Sequence, residues 1–198
     1  MGSKKASAKK KSSTPLKELL EMDLESRGEF FSKSPVAELV AVVEESYASE
    51  LVNLWLDLKK SVVRDMFQRV MNHRKRVLLP ALTLYHYKEY LTNPLPLMVT
   101  GGDRERISNY YALVGLPREA LPEDVKEAHK LLQLAYDQDG FAPTEREIAA
   151  ERLKEINEAF AVLKNEKKRA EADARMPTMP YLYPGRDQSW LEAVRRYL

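Results

Sequence analysis

Apolar residues recur at spacings of three and four along most of this chain, and this period restricts its fold more than any other feature. The clearest run has apolar residues at Val36, Leu39, Val40, Val43, Tyr47, Leu51, Leu54, Trp55, Leu58 and Val62. Such spacing places apolar side chains on one face of a helix, and strand-like alternation is hardly present. The sequence therefore predicts an all-α protein with a long amphipathic helix in this region. The pattern continues to Pro80, and a second long helix could begin inside the run.

Capping residues and prolines suggest where the N-terminal helices begin and end. Thr14-Pro15 and Ser34-Pro35 each combine a capping hydroxyl with proline at the first helical position. We expect one helix from Pro15 toward Gly28 and a second from Val36. Pro80 should kink or end the later run, because proline lacks an amide donor. One more helix is then predicted over 81–91, before a break rich in proline and glycine.

Composition excludes several classes of chemistry. The 198 residues include no cysteine and three histidines, His73, His86 and His129. Disulfides, thiolate nucleophiles and cysteine-based metal sites are therefore ruled out, and no phosphate-binding loop or nucleophile elbow is found. We expect no enzymatic activity, no cofactor and no metal site. No apolar run is long enough to span a bilayer and no signal peptide is evident, so a cytoplasmic protein is expected.

The net charge of +2 hides a strongly basic N-terminal tail. Residues 1–14 hold five of the 32 basic residues and none of the 30 acidic ones, so the rest carries −3. The five are Lys4, Lys5, Lys9, Lys10 and Lys11. A segment of this composition is expected to be disordered. It serves either as a solubilising tail or as an arm that binds phosphate or an acidic protein surface. A second basic cluster, Arg69 with residues 73–76, is interpreted as a solvated helix end, and contact with a phosphate backbone is the less favoured alternative.

Two helices joined by a turn are predicted in the second half of the chain. Pro122 opens one whose apolar face contains Val125, Ala128, Leu132 and Tyr136. A capping box formed by Thr144 and Glu147 opens the other, with Ile148, Leu153, Ile156, Phe160 and Leu163 on one stripe. The short segment carrying Tyr110, Leu113 and Leu116 is expected to pack across this hairpin.

This region resembles a J domain, motif by motif. Residues 109–116 (NYYALVGL) are similar to the family's opening DYYEILGV, and residues 152–163 (RLKEINEAFAVL) to the third-helix motif KFKEINEAYEVL. Residues 123–136 resemble the second helix, and Lys168-Arg169 and Asp173 fall where the fourth helix has KR and its closing Asp. The resemblance covers 107–174 and implies a helical-hairpin fold.

The sequence departs from the family at the residues on which its activity depends. J domains use a His-Pro-Asp tripeptide between the second and third helices to stimulate ATP hydrolysis by a heat-shock-seventy chaperone. The aligned residues here are Asp137, Gln138 and Asp139. An anion replaces the imidazole and a flexible residue replaces the proline. We expect a degenerate chaperone-contact loop. A carboxylate pair or cation site at Asp137 and Asp139 is the less favoured interpretation, because two carboxylates are too few.

The second helix of the J-like region has also changed on its partner-facing side. The family places basic residues there, whereas this helix keeps Lys126 and Lys130, adds Glu127, and has Leu131 and Ala135 at commonly basic positions. Steering toward an acidic chaperone should therefore be weaker. Lys126, Lys130 and Leu131 are predicted to contact a protein partner instead.

The C-terminal residues combine an extended strap with a short helix. Three prolines within 176–185 disfavour a helix, and a capping box at Ser189 and Glu192 opens a terminal helix. Its apolar side consists of Trp190, Leu191, Val194, Tyr197 and Leu198. So short a helix must dock on something. Docking onto the protein itself is favoured, and anchoring to a partner through Trp190, Leu191, Val194 and Tyr197 is the alternative.

The predicted organisation is a basic tail (1–14), a helical bundle (15–95), a linker (96–106), a J-like domain (107–174) and a strap with a terminal helix (175–198). We expect a non-catalytic adaptor, or a structural subunit of a larger multi-subunit assembly. The alternative is a regulator of a heat-shock-seventy chaperone or of its J-protein partner. A nucleic-acid-associated protein acting through the basic tail is the third hypothesis.

Overall fold

The computed structural model describes residues 16–72, 75–92, 110–175 and 190–198. Helices make up the regular structure of these ranges, which contain no β-strand, so the all-α prediction is confirmed. The helices are α1 (Leu16–Glu21), α2 (Leu24–Lys33), α3 (Val36–Glu45), α4 (Ala48–Trp55), α5 (Lys60–Val70), α6 (Lys75–Thr92), α7 (Tyr110–Val114), α8 (Pro122–Ala135), α9 (Arg146–Leu163), α10 (Glu166–Arg175) and α11 (Trp190–Arg195). None of these helices has the length and apolarity needed to cross a bilayer.

Several sequence-based predictions concern residues outside the described ranges. They are the basic tail with its five lysines, the Thr14-Pro15 cap, the linker over 96–106, the strap over 176–189 and the Ser189 cap.

The two helices predicted over 16–28 and from Val36 onward are each divided. Asp23 interrupts the first, because its carboxylate accepts the Ser26 amide at 2.9 Å and starts α2. The long run is interrupted at Ser46 and Tyr47, where the backbone is extended, and again between α4 and α5. The Glu50 carboxylate accepts the Tyr47 amide at 2.8 Å and so caps α4. The prediction of one long helix from Val36 was wrong, whereas a further helix does begin inside the run, at Lys60. The apolar period concealed the breaks, because the buried residues of α3, α4 and α5 all belong to one core.

Pro80 does not end the helix in which it lies. It is the sixth residue of α6, which continues to Thr92. The missing amide removes one hydrogen bond, and the fixed φ of proline suits a helix. Ala81, Leu82, Leu84 and Tyr85 are buried directly after it, and this burial holds the segment in place. The expected helix over 81–91 is therefore part of a longer one.

Helix α6 lies at the centre of the fold. It packs against α4 from the N-terminal half, against α8, and against the terminal α11. The buried apolar residues on both sides of the predicted domain boundary form one continuous hydrophobic cluster. The N-terminal helices thus position one side of the α8–α9 hairpin.

The hairpin was predicted well, with three local differences. Pro122 begins α8, and Val125, Ala128, Leu132 and Tyr136 are buried as expected. The capping box predicted at Thr144 was wrong, because a turn brings the Glu145 amide to the Ala142 carbonyl at 2.8 Å and α9 starts at Arg146. Ile148 is 71% exposed rather than on the buried stripe. Tyr111 and Val114 are the fully buried residues of α7, whereas Tyr110 and Leu113 are partly buried.

His86 is a packing histidine of α6. Its ring lies against Tyr85 at 5.1 Å and Tyr197 at 6.3 Å between centroids, and its side chain is 18% exposed. Burial lowers the His86 pKa to about 4, although Glu89 opposes this shift; Lys60 and Arg196 add to it. The folded protein therefore prefers the neutral imidazole.

This burial predicts a pH-dependent loss of stability. The unfolded chain takes up a proton at His86 near pH 6.5, whereas the folded chain does so near pH 4. The neutral, buried His86 contributes to the free energy of unfolding, and this contribution is complete above pH 6.5. It falls as pH drops toward 4, and about 2–3 kcal/mol of it is lost at pH 4.5. Urea unfolding of the wild type and His86→Gln at pH 7.5 and 4.5 measures it. Equal pH dependence in the two proteins would contradict the prediction.

Candidate partner-binding surface

The α8–α9 hairpin presents its connecting loop to solvent. Asp137, Gln138 and Asp139 are all exposed, and residues 138–140 form a single 3₁₀ turn. The Asp137 carboxylate accepts the Asp139 amide at 3.1 Å, and the Asp137 carbonyl accepts the Gly140 amide at 2.9 Å. Asp137 therefore stabilises the turn on which it lies. No three acidic, histidine or cysteine side chains converge as metal ligands here or elsewhere in the described ranges.

The inner side of this loop rests on the N-terminal helices. Tyr136, directly before the loop, packs edge-on against Tyr87 of α6 at 6.0 Å and stacks on Phe141 at 5.9 Å. A Cβ atom placed on Gly140 would lie 3.6 Å from the Cβ atom of Ala48 in α4. Only the outer side of the loop is therefore available to a partner.

The faces of α8 differ in what they contact. Lys126 and Lys130 are exposed, as a partner-binding role requires. Leu131 is only 4% exposed and Ala135 is fully buried. One stripe along α8 consists of Asp124, Glu127, Leu131 and Ala135. Other parts of the chain cover this stripe. Leu131 and Ala135, which stand where J domains commonly have basic residues, thus contribute to the packing of α8.

Arg195 of α11 fixes the acidic end of this stripe. Its Nε donates to Glu127 at 2.8 Å, one Nη donates to Asp124 at 2.8 Å, and the other donates to Glu192 at 2.5 Å. The hydrogen bonds that Arg195 donates to Glu127 first, and then to Asp124 and Glu192, raise the pKa of Arg195 despite its partial burial. A guanidinium held by three carboxylates is a rigid link between α11 and α8.

The terminal helix docks onto the chain itself. Trp190, Leu191 and Val194 are buried, and the Trp190 indole donates to the Val114 carbonyl at 3.1 Å. The same indole packs edge-on against Tyr87 at 5.7 Å. Tyr197, which is partly buried, lies against Phe67 of α5 at 6.0 Å. The sequence left open whether this helix docks onto the protein itself or anchors a partner, and the structure shows it docked onto the protein itself.

A polar network holds α10 against the start of the hairpin. Arg169 donates to the Tyr111 hydroxyl at 2.8 Å, and that hydroxyl donates to Asp173 at 2.9 Å. Arg169 also donates to the Ala120 carbonyl at 2.8 Å, and Arg118 to the Asp173 carbonyl at 2.7 Å. Sequence analysis identified Arg169 and Asp173 as motif residues without assigning this role. The available signal was that Arg169 and Asp173 lie at the positions where the J-domain motif has an Arg and an Asp.

Comparison with known families agrees with this architecture. The family model described as "DnaJ domain" matches residues 109–173, which contain α7 to α9 and most of α10. Over these residues, the chain is similar to the DnaJ-domain family. The resemblance of this region to J domains is thereby confirmed.

Relatives of the DnaJ domain come from distant organisms. "Chaperone protein DnaJ 2" of Synechocystis is 40% identical over 72 residues, which are 36% of this chain and 23% of that protein. "Chaperone protein DnaJ" of Methanosarcina thermophila is 43% identical over 65 residues, 33% of this chain and 16% of that protein. "DnaJ homolog subfamily B member 8" of Mus musculus is 37% identical over 67 residues, 34% and 29% of the two chains. The chain therefore spans less than a third of these relatives. No solved structure matches it.

The basic cluster near residue 74 is only partly described. Arg69 donates to the carbonyls of Phe31 and Ser32, each at 3.1 Å, and to that of Ser34, so it caps the C-terminal end of α2. Arg76 is exposed, and residues 73–74 lie outside the described ranges. Arg69 therefore has a structural role in this fold.

Proposed function

We propose that this protein is a non-catalytic adaptor or assembly subunit whose DnaJ domain binds a protein partner without stimulating a chaperone ATPase. Homology to DnaJ proteins supports a chaperone-related role and a heat-shock-seventy partner in general. The observation that carries the finer proposal is the exposed loop with Asp137-Gln138-Asp139 where the family has His-Pro-Asp.

The loop chemistry argues against stimulation. The chain contains no His-Pro-Asp tripeptide, because none of its three histidines is followed by proline. Asp137 contributes a negative charge instead of an imidazole, and one of its carboxylate oxygens accepts a hydrogen bond from the Asp139 amide. Gln138 has no ring to fix its backbone. Of the tripeptide, only the carboxylate at Asp139 is kept.

The packing of α8 supports the same conclusion. Leu131 and Ala135 are buried, and Arg195 engages both Asp124 and Glu127. That stripe is therefore occupied by the protein's own helices. The remaining exposed cations of α8 are Lys126 and Lys130, a small basic surface for an acidic partner.

An ATPase assay tests the proposal. Full-length protein added to a DnaK-type chaperone is expected to leave ATP hydrolysis at its basal rate, whereas a J protein with an intact His-Pro-Asp loop accelerates it. The double variant Asp137→His/Gln138→Pro, which restores the tripeptide, is expected to gain stimulation. Stimulation by the wild type that Asp139→Asn abolishes would overturn the proposal.

The regulator hypothesis is favoured by one observation, namely that Lys126, Lys130 and Asp139 all stay exposed. Under this alternative, the protein binds the chaperone without accelerating ATP hydrolysis. Affinity purification from source cells separates the two hypotheses, with Lys126→Glu/Lys130→Glu as the variant and exposed Lys167→Glu as the control. A stoichiometric non-chaperone assembly supports the adaptor. A chaperone released by ATP and lost in the double variant supports the regulator.

A further inference from the structure

A cleft distant from the hairpin loop lies between α5, α6 and the C-terminal residues. Its volume is about 640 Å³. This size falls in the range of small-molecule sites, about 300–1,000 Å³. Its walls include Val63 and Phe67 of α5, Tyr85 and His86 of α6, and Tyr197 after α11.

The floor of the cleft is largely apolar. Val63, Phe67 and Tyr85 lie beneath it and are at most 4% exposed. Tyr197 lies 6.0 Å from the Phe67 ring and 6.3 Å from the His86 ring between centroids. Tyr197 and His86 are partly exposed, so their rings offer aromatic surface to a planar or aliphatic body, and the Tyr197 hydroxyl offers a polar atom.

The rim of the cleft is basic. Lys60, Arg64 and Arg196 all line it and all are exposed. Arg64 and Arg196 both act on the Tyr197 hydroxyl, since both lower its pKa against the larger effect of burial, which raises it. Both arginines therefore line the cleft together with Tyr197.

These two arginines differ from the others that surround them. Arg195 binds three carboxylates and Arg69 binds three carbonyls. Lys60 pairs with Glu89 at 2.7 Å. Within the described residues, Arg64 and Arg196 form no ion pair with an acidic side chain. Two guanidiniums beside an apolar cleft suit a carboxylate, sulfonate or phosphate.

We propose that this cleft binds a small organic anion, with an aromatic or aliphatic body against the His86 and Tyr197 rings and an acidic group held by Arg64 and Arg196. The site is separate from the hairpin loop and does not depend on the function proposed for it. Charge complementarity and the size of the cleft together favour this ligand class over an uncharged one.

Two matched fluorescent probes test the proposal on the full-length protein. Anilinonaphthalene sulfonate carries the predicted acidic group, and N-phenylnaphthylamine has the same rings without it. The sulfonate is expected to bind at one site. The variant Arg64→Gln/Arg196→Gln should weaken its binding at least about tenfold, because charge-assisted hydrogen bonds are lost. Binding of the uncharged probe should change little.

The control variant makes the same charge change elsewhere. Arg76→Gln/Arg175→Gln removes two exposed arginines outside the cleft lining and should leave sulfonate binding unchanged. An equal loss in both variants, or equal affinity for both probes in the wild type, would overturn the proposal. A wild-type dimer that becomes monomeric in Arg64→Gln/Arg196→Gln would also overturn it, because a second copy would then occupy the cleft. Circular dichroism checks that each variant is folded.

Discussion

Replacing Trp190 with alanine should lower the free energy of unfolding by about 3–5 kcal/mol, the range for truncation of a buried tryptophan. Trp190 is 1% exposed, its indole packs edge-on against Tyr87, and its Nε1 donates to the Val114 carbonyl. Truncation leaves a cavity and an unpaired carbonyl where α6, α7 and α11 meet.

Urea unfolding monitored by circular dichroism measures this loss. Trp190→Phe keeps most of the ring and removes the indole hydrogen bond, so it should cost less than Trp190→Ala. Ile148→Ala, at a residue that is 71% exposed, is the control and should change stability by less than about 0.5 kcal/mol. If Trp190→Ala costs no more than this control, α11 is not docked as described.

Replacing Gly115 with alanine should destabilise the protein by about 3 kcal/mol, for two separate reasons. Gly115 has a φ of +67°, where a side chain costs about 1–2 kcal/mol. A Cβ atom there would also lie 2.4 Å from Nε1 of Trp190 and 3.3 Å from Cδ1 of Tyr90. The indole would therefore have to move out of its buried position.

A double-mutant cycle separates these two causes. In the Trp190→Ala background the steric conflict is gone, so Gly115→Ala should cost only the backbone strain of about 1–2 kcal/mol. Gly28→Ala is the control, because an added Cβ there meets only Leu58 at 3.8 Å, an ordinary contact. That change lies inside α2 and should be neutral or slightly stabilising. Strictly additive costs at Gly115 and Trp190 would contradict the predicted contact.

Helices α11 and α6 pack against the DnaJ domain of this chain. One stripe of α8 is engaged by the protein's own helices, the loop rests on Tyr87 and Ala48, and Lys126 and Lys130 remain exposed. The apolar residues at Leu131 and Ala135 are thus explained by packing. Asp137 stabilises its own turn, and Gln138 is exposed without a packing role, so these two residues are the ones on which the proposed absence of stimulation is best tested.

Local sequence determined the helices and most of the hairpin. The period of apolar residues identified the helical class, and Pro122 marked the start of α8. Motif order predicted a J-like domain over 107–174, and the family model matches residues 109–173. These features depend on contacts within a turn or two of the chain, which spacing and capping residues encode directly. Where a local rule competed with burial, as at Pro80 and in the run after Val36, burial decided the outcome.

Only the tertiary structure decided which faces meet. The fold places Arg64 and Arg196 in one cleft with Tyr197, and it brings Gly115 next to Trp190, which is 75 positions away in sequence. Leu131 looked like a lost basic contact until the structure showed it buried on α8, which packs against α6. Such pairings depend on contacts between residues far apart along the chain, which no local pattern of one sequence encodes. The sequence by itself determined the helices and the J-domain resemblance of its second half, and long-range packing determined which surfaces stay exposed.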